Sequence, residues 1–135
     1  MESRRKTKGF RGGLRIALHV SMSLSIHTRP QGKVEIIDLS GRLTLGDATA
    51  ALRAEVGKVL DRKSNILVNL AGVSYIDSAG LGQLVEGYSK ATAEGRTMKL
   101  LNPHKRVDSL LHITKLNTTF ETFEDEATAV ASFGQ

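Results

Sequence analysis

The stretch of the chain best suited to carry a chemical modification is residues 76–82, with the sequence IDSAGLG. Asp77 and Ser78 lie there between a predicted buried strand over residues 66–70, followed by a short connection, and an amphipathic helix predicted over residues 78–93. The first backbone N–H groups of a helix lack partners within the helix and favour negative charge. A phosphoryl group on the Ser78 hydroxyl would be stabilised at this place, which indicates a switch rather than an enzyme.

The same residues also have plainer structural interpretations. Asp77 and Ser78 are both good helix N-caps, and a Ser78 that only capped the helix would cost about 1 kcal/mol if it were replaced by alanine. Gly80 and Gly82 fall in the first helical turns, where each glycine costs roughly 0.5–1 kcal/mol relative to alanine. Tight packing of the helix on the sheet would offset that cost, and so would close approach of a partner. Of these two explanations we favour the partner.

Patterns typical of catalytic or metal sites are missing from the sequence. The chain has no cysteine, and its four histidines are scattered without ligand spacing, so we expect no zinc site and no cofactor. It contains neither a Gly-x-x-x-x-Gly-Lys loop nor a Gly-x-Ser-x-Gly elbow. An enzyme that used Asp77 and Ser78 would also need a base, and no histidine is predicted nearby. We therefore expect no catalytic residues.

The net charge of +5 belongs to one end of the chain. Residues 1–21 hold six of the 19 basic residues and one of the 14 acidic residues, so residues 22–135 are neutral. The body of the protein therefore does not have the basic surface expected of a direct nucleic-acid binder. We expect residues 1–21 to be a disordered extension. A basic arm for a membrane or nucleic acid, a targeting peptide, or an edge strand over the alternating residues 14–20 are the alternatives.

Residues 22–135 have the pattern of one α/β domain. Apolar spacing predicts strands over 23–28, 34–39, 66–70, 98–101 and 120–123, with residues 29–32 as a turn. Helices are predicted from Asp47, as N-cap, to 60, over 78–93, over 107–111 and after Asp125. The order β-β-α-β-α-β-α-β-α predicts a mixed sheet of four to five strands with about four helices, and ligands at the carboxyl ends of its strands. No apolar run approaches the ~20 residues that span a bilayer.

At this level of detail the chain resembles a STAS domain of the anti-sigma factor antagonist type. The resemblance covers residues 22–134 and rests on residues 39–43 (LSGRL), 66–70, 76–82 and 100–111. The Asp-Ser-x-Gly-Leu-Gly segment is fairly specific in this strand–loop–helix context. The STAS fold is therefore the expected architecture.

The resemblance also implies a function. In the family, an unphosphorylated antagonist binds an anti-sigma factor that is itself a serine kinase, which frees a sigma factor. Phosphorylation of the serine ends the complex, and a metal-dependent serine phosphatase restores it. By position the phosphorylated serine is Ser78. The implied partner-binding residues are Thr44, Asp47, Asp77, Ser78, Ala79, Gly80, Leu81 and Gly82. A cytoplasmic protein, monomeric or weakly dimeric, is expected.

One position departs from the family pattern. Many phosphorylated antagonists carry an aspartate where this chain has Thr44, and Asp47 lies three residues later. Asp47 either substitutes for that aspartate or only caps its helix. The alternative function is a STAS subunit of a stress-signalling assembly or of a lipid ABC transporter, which would bind its partner without a phosphorylation switch.

Overall fold

The computed structural model of the chain describes residues 17–20 and 23–134. Six strands and four helices make up this part of the chain. The strands are β1 (Ala17–Val20), β2 (Leu24–Gln31), β3 (Val34–Leu43), β4 (Asn65–Ile76), β5 (Met98–Leu101) and β6 (Thr122–Phe123). The helices are α1 (Asp47–Asp61), α2 (Ser78–Ala93), α3 (Lys105–Ile113) and α4 (Glu126–Ala131), and a 3-10 turn spans Leu116–Thr118.

The strands form one mixed sheet in which the spatial order follows the order along the chain, from β1 to β6. The pairs β1–β2 and β2–β3 are antiparallel, and all later pairs are parallel. The predicted α/β class, mixed sheet and element order from β2 onward are confirmed. β1 is an additional edge strand, which the sequence analysis gave as one alternative for residues 14–20. The rest of the predicted N-terminal extension, residues 1–16 and 21, lies outside the described residues.

Two apolar layers lie on opposite faces of the sheet. The main core packs α1, α2 and α3 against one face and includes Ile66, Val68 and Leu70 of β4. A smaller core on the other face includes Leu67 and is covered by α4. Because β4 packs against both layers, residues 66–70 are apolar except for Asn69, and this nearly continuous apolar run predicted a central strand.

Several boundaries differ from the sequence-based prediction. The first hairpin continues through Pro30 and Gln31, and its two-residue turn holds Gly32 at φ +66°, so residues 29–31 are strand rather than turn. The helix α1 begins at Asp47 with Gly46 as its N-cap, so Asp47 is not the cap. Gly46 has φ +116°, a backbone conformation that favours glycine where the chain turns from β3 into α1.

The third difference matters for the site, because β4 does not end at residue 70. It continues to Ile76 beside a lengthened β3, with Leu43 opposite Ile76. Gly72 permits this continuation, since a Cβ atom there would lie 2.8 Å from the carbonyl oxygen of Leu39. Residues 71–75 are therefore strand and not a connection, and Asp77 follows directly on the last residue of β4.

Candidate functional site

The parallel pairing of β3 and β4 brings the predicted site residues to one edge of the sheet. Leu43 and Ile76 are opposite each other, so the segments that follow them leave the same carboxyl edge. The first segment contains Thr44 and leads into α1 at Asp47, and the second is Asp77 with the start of α2. The two groups of residues predicted from separate parts of the sequence therefore belong to one surface.

Asp77 joins these two segments through its carboxylate. Its Oδ1 atom accepts a hydrogen bond of 2.8 Å from the backbone N–H of Gly80, which makes Asp77 the N-cap of α2. Its Oδ2 atom accepts a second hydrogen bond of 3.1 Å from the N–H of Leu45 in the β3–α1 loop. The N–H groups of Leu45 and Gly80 hold the pKa of the Asp77 carboxyl below its ordinary value, because they stabilise the ionised form.

The ionised Asp77 carboxylate should therefore stabilise the fold to a pH below the usual range for aspartate. A group whose pKa is lowered by folding contributes stability that is present above its unfolded pKa and is lost as the pH falls through its folded pKa. Between about pH 5 and pH 2 the wild type should lose unfolding free energy more steeply than Asp77→Asn, which has no carboxyl to protonate. Chemical denaturation across this range measures both slopes, and parallel curves would contradict the prediction.

Ser78 is the first residue of α2 and is exposed at the surface. Its hydroxyl makes no hydrogen bond with any residue that the structure describes. The interpretation of Ser78 as the helix cap is wrong, because the neighbouring carboxylate of Asp77 already occupies that role and caps through Gly80. The Ser78 hydroxyl is thus presented to solvent beside the positive end of the helix dipole.

The two glycines of the IDSAGLG segment differ in their surroundings. A Cβ atom on Gly80 would collide with the carbonyl oxygen of Leu43 and would lie 2.8 Å from Cγ1 of Ile76. Tight packing therefore explains Gly80, and the preferred explanation by partner approach is wrong for this residue. A Cβ atom on Gly82 would meet nothing within 4 Å, and Gly82 is exposed one turn after Ser78. Leu81 is 8 % exposed and belongs to the main core.

Sequence reasoning missed Leu45, which is the most exposed large apolar side chain in the described part of the chain at 76 %. It follows Thr44 in the β3–α1 loop, and its N–H is the group that Asp77 binds. The sequence signal that could have identified Leu45 was an apolar residue in a predicted loop, between Thr44 and Gly46. On the same edge, the guanidinium of Arg42 lies 5.6 Å from the ring centre of Tyr75, which is 42 % exposed.

The histidines of the described residues do not form a metal site. Within residues 17–20 and 23–134, no group of three or more His, Asp or Glu side chains is placed to hold a metal ion. His104 has a structural role, since its Nδ1 atom accepts a 3.3 Å hydrogen bond from the N–H of Arg106 at the start of α3. In the same ranges no helix has both the length and the apolar character needed to cross a bilayer.

Comparison with known proteins agrees with this arrangement. The STAS domain family matches residues 25–129 of the chain. The chain belongs to the STAS domain family. An anti-sigma-B factor antagonist of Staphylococcus aureus is 30 % identical over 95 residues, which cover 70 % of this chain and 88 % of the relative. The STAS resemblance seen in the IDSAGLG segment and its neighbours is thereby confirmed.

Solved structures share the STAS architecture. An anti-sigma factor antagonist from Mycobacterium paratuberculosis superposes with a TM-score of 0.73 at 22 % identity and covers 87 % of this chain and all of its own length. The Bacillus cell fate determinant SpoIIAA in its phosphorylated form gives a TM-score of 0.60 at 19 % identity, covering 87 % of this chain and 98 % of its own. These likenesses establish that the STAS fold is the fold of this chain.

Proposed function

We propose that the protein is an anti-sigma factor antagonist whose binding is switched by phosphorylation of Ser78. The unphosphorylated form binds an anti-sigma factor serine kinase and so releases a sigma factor, and a serine phosphatase restores this form. The observation that carries the proposal is the exposed Ser78 hydroxyl, which has no hydrogen bond to the described residues and lies at the start of α2. The antagonist names of the Staphylococcus aureus and Mycobacterium relatives and the phosphorylated form of SpoIIAA support the same role.

The expected effect of phosphate follows from the charges at this edge. A phosphoryl group adds about −1.5 to −2 charge at neutral pH. The α2 terminus supplies about +0.5 elementary charge, which stabilises the group, while the ionised Asp77 carboxylate repels it. The fold should therefore change little. A partner docked over Ser78 would have to bury that dianion, and an unpaired buried charge costs several kcal/mol. Phosphorylation would thus end binding without a conformational change.

The partner surface that we propose consists of the exposed and half-buried residues on this carboxyl edge. Thr44 and Asp47 flank the loop, and Asp77, Ser78 and Ala79 begin α2. Gly82 lies one turn further along and leaves open space for close approach. We add Leu45 to the predicted set, because its apolar side chain is exposed directly after Thr44, the position at which many antagonists carry an aspartate. Gly80 and Leu81 are buried, so they position the surface and contribute little contact area.

Two measurements on protein from its native host test the proposal. Intact-mass spectrometry with and without phosphatase treatment should show a phosphoryl group that is absent from Ser78→Ala. Pull-down with Ser78→Ala should recover a kinase with a nucleotide-binding fold, because this variant binds but cannot be switched off. Recovery of an ABC-type complex or of a stress-signalling assembly in place of a kinase would favour the alternative STAS functions.

We also propose that residues 22–135 act as one STAS domain in the cytoplasm, as a monomer or weak dimer.

Leu45→Ser should weaken binding of the recovered kinase by about 10- to 100-fold, since burying a leucine side chain contributes roughly 1.5–3 kcal/mol. Stability should change little because the side chain is exposed in the free protein. Ile113→Ser is the matched control, since Ile113 is 74 % exposed at the end of α3. Titration calorimetry measures both affinities. Equal losses for the two variants would remove Leu45 from the proposed surface.

A further inference from the structure

A groove lies between α4 and the β2–β3 hairpin, on the face of the sheet that holds the smaller core. Its wider part has a volume of about 500 Å³ and is lined by Gln31, Glu126, Ala127, Val130 and Ala131. A narrower part of about 260 Å³ shares Val130 and Ala131 and reaches the hairpin tip at Lys33. The alanine and valine side chains leave an apolar channel open at the surface, which another molecule can cover.

The end of the groove at the hairpin tip is basic. Lys33 lies in the turn between β2 and β3 and is exposed, and it makes no ion pair with any residue that the structure describes. Its ammonium group is therefore an uncompensated positive charge at this end. A molecule that fills the groove meets this charge beside the apolar channel, so a complementary occupant carries a carboxylate at the matching end.

The other end of the groove, around Glu126, is acidic. There Arg29 binds two carboxylates, with 2.7 Å between its Nε atom and Oδ2 of Asp38 and 2.8 Å between its Nη2 atom and Oε1 of Glu126. One guanidinium between two carboxylates leaves an excess negative charge. The exposed Glu124 and Asp125, which precede α4, add to it. The groove is thus basic at one end and acidic at the other.

We propose that the groove holds α4 of a second copy of this chain, packed antiparallel about a two-fold axis. This symmetry sets the basic end of each groove against the acidic end of the other, so the chain is complementary to itself. A parallel arrangement would oppose like charges. Because α4 has six residues and spans about 9 Å, the interface is smaller than the ~800 Å² per partner of a standard complex, and the dimer is weak.

The proposed dimer leaves the Ser78 surface open. Lys33 directly precedes β3, so its end of the groove lies at the amino edge of the parallel strands, whereas Ser78 follows β4 at their carboxyl edge. Each dimer therefore presents two Ser78 surfaces. Binding of two kinase molecules by one dimer rests on the function proposed above, whereas the dimer itself does not, and the experiments below use the protein alone.

Sedimentation velocity of the full chain tests the dimer. The wild type should sediment as a monomer at low concentration and increasingly as a dimer as the concentration rises. Ala131→Arg fills the groove, and Lys33→Glu makes both of its ends acidic, so each should raise the dimer dissociation constant at least about tenfold. A wild type that stays monomeric up to its solubility limit would overturn the proposal.

Two variants with the same changes of charge are the matched controls. Ala54→Arg and Lys105→Glu alter exposed residues of α1 and α3, which pack on the other face of the sheet. Both should dimerise like the wild type, and melting curves from circular dichroism check that each variant is folded. If Ala131→Arg does not fold, Lys33→Glu against Lys105→Glu decides. Groove variants that dimerise like their controls would also overturn the proposal.

Disulfide cross-linking tests the antiparallel orientation. The chain has no cysteine, so single substitutions at the exposed Ala127 and Ala131 are specific. Antiparallel packing brings Ala127 of one copy near Ala131 of the other. Oxidation of isotope-labelled Ala127→Cys mixed with unlabelled Ala131→Cys should therefore give mainly the mixed disulfide, which mass spectrometry distinguishes from the two homodimers. A predominance of homodimeric disulfides would overturn the proposed arrangement.

Discussion

Ser78→Asp should weaken binding of the anti-sigma factor kinase by about 100-fold, whereas Ser78→Ala should bind like the unphosphorylated wild type. The aspartate places a permanent negative charge at the start of α2 beside Asp77, and the partner would have to bury it. The fold itself should tolerate the charge, since an anion at a helix N-terminus is favourable. Affinities from titration calorimetry and melting curves from circular dichroism measure the two effects separately.

Ser89→Asp is the matched control for this experiment. Ser89 is exposed and lies 11 residues after Ser78 on α2, which is about three turns along nearly the same face of the helix. It receives the same charge in the same helix at a distance from the proposed interface. Its affinity for the kinase should stay close to that of the wild type. Tight binding by the Ser78→Asp protein, or an equal loss for Ser89→Asp, would contradict a switch located at Ser78.

Gly80→Ala should lower the free energy of unfolding by about 1–3 kcal/mol, because the added methyl group overpacks a filled site. The new Cβ atom would press on the carbonyl oxygen of Leu43 and on the side chain of Ile76, where the ends of β3 and β4 meet α2. Neither neighbour is a flexible side-chain tip, so the helix would have to move away from the sheet. Urea denaturation of the variant and the wild type measures the difference.

Gly82→Ala is the control with the opposite expected sign. Gly82 is in the same helix, two residues later, and its missing side chain faces open space. Alanine should therefore stabilise the protein by about 0.5–1 kcal/mol, because it restricts the unfolded chain and favours the helix. Equal changes for the two variants would show that the packing against Leu43 does not determine the choice of glycine. A Gly82→Ala protein that is stable but binds its kinase more weakly would support close partner approach at this position.

Local pattern in the sequence was enough to predict the main architecture. The helix pattern of α1, carried by Ala48, Leu52, Val56, Val59 and Leu60, is confirmed, and all five residues are buried. The apolar run at residues 66–70 is confirmed as the core of β4, and the predicted order of elements from β2 onward is also confirmed. These predictions are correct because each depends on the spacing of apolar residues within one segment. A single helix or strand shows that spacing without reference to the rest of the chain.

The prediction was incomplete where distant segments determine the conformation. Residues 71–75 form strand because β3 provides their backbone hydrogen-bond partners, and Gly72 allows β3 and β4 to approach closely. Glu55 is buried within the apolar stripe of α1, which its charge alone would not predict. The loop at Leu45 is held by a hydrogen bond from its backbone N–H to Asp77, 32 residues later, and the Leu45 side chain is exposed. None of these outcomes has a periodic signal in the residues concerned.

The sequence by itself determined that a serine follows an aspartate where a strand gives way to a helix, because this depends only on neighbouring residues and their spacing. Only the tertiary structure decided that Asp77 caps the helix and that the Ser78 hydroxyl stays exposed. Parallel pairing of β3 with β4 brings the N–H of Leu45 to the Asp77 carboxylate. This carboxylate then both caps α2 and binds the β3–α1 loop. The Ser78 hydroxyl therefore makes no hydrogen bond with the described residues. The physical reason is that the contact between Leu45 and Asp77 joins segments far apart in the sequence, which local spacing does not reveal.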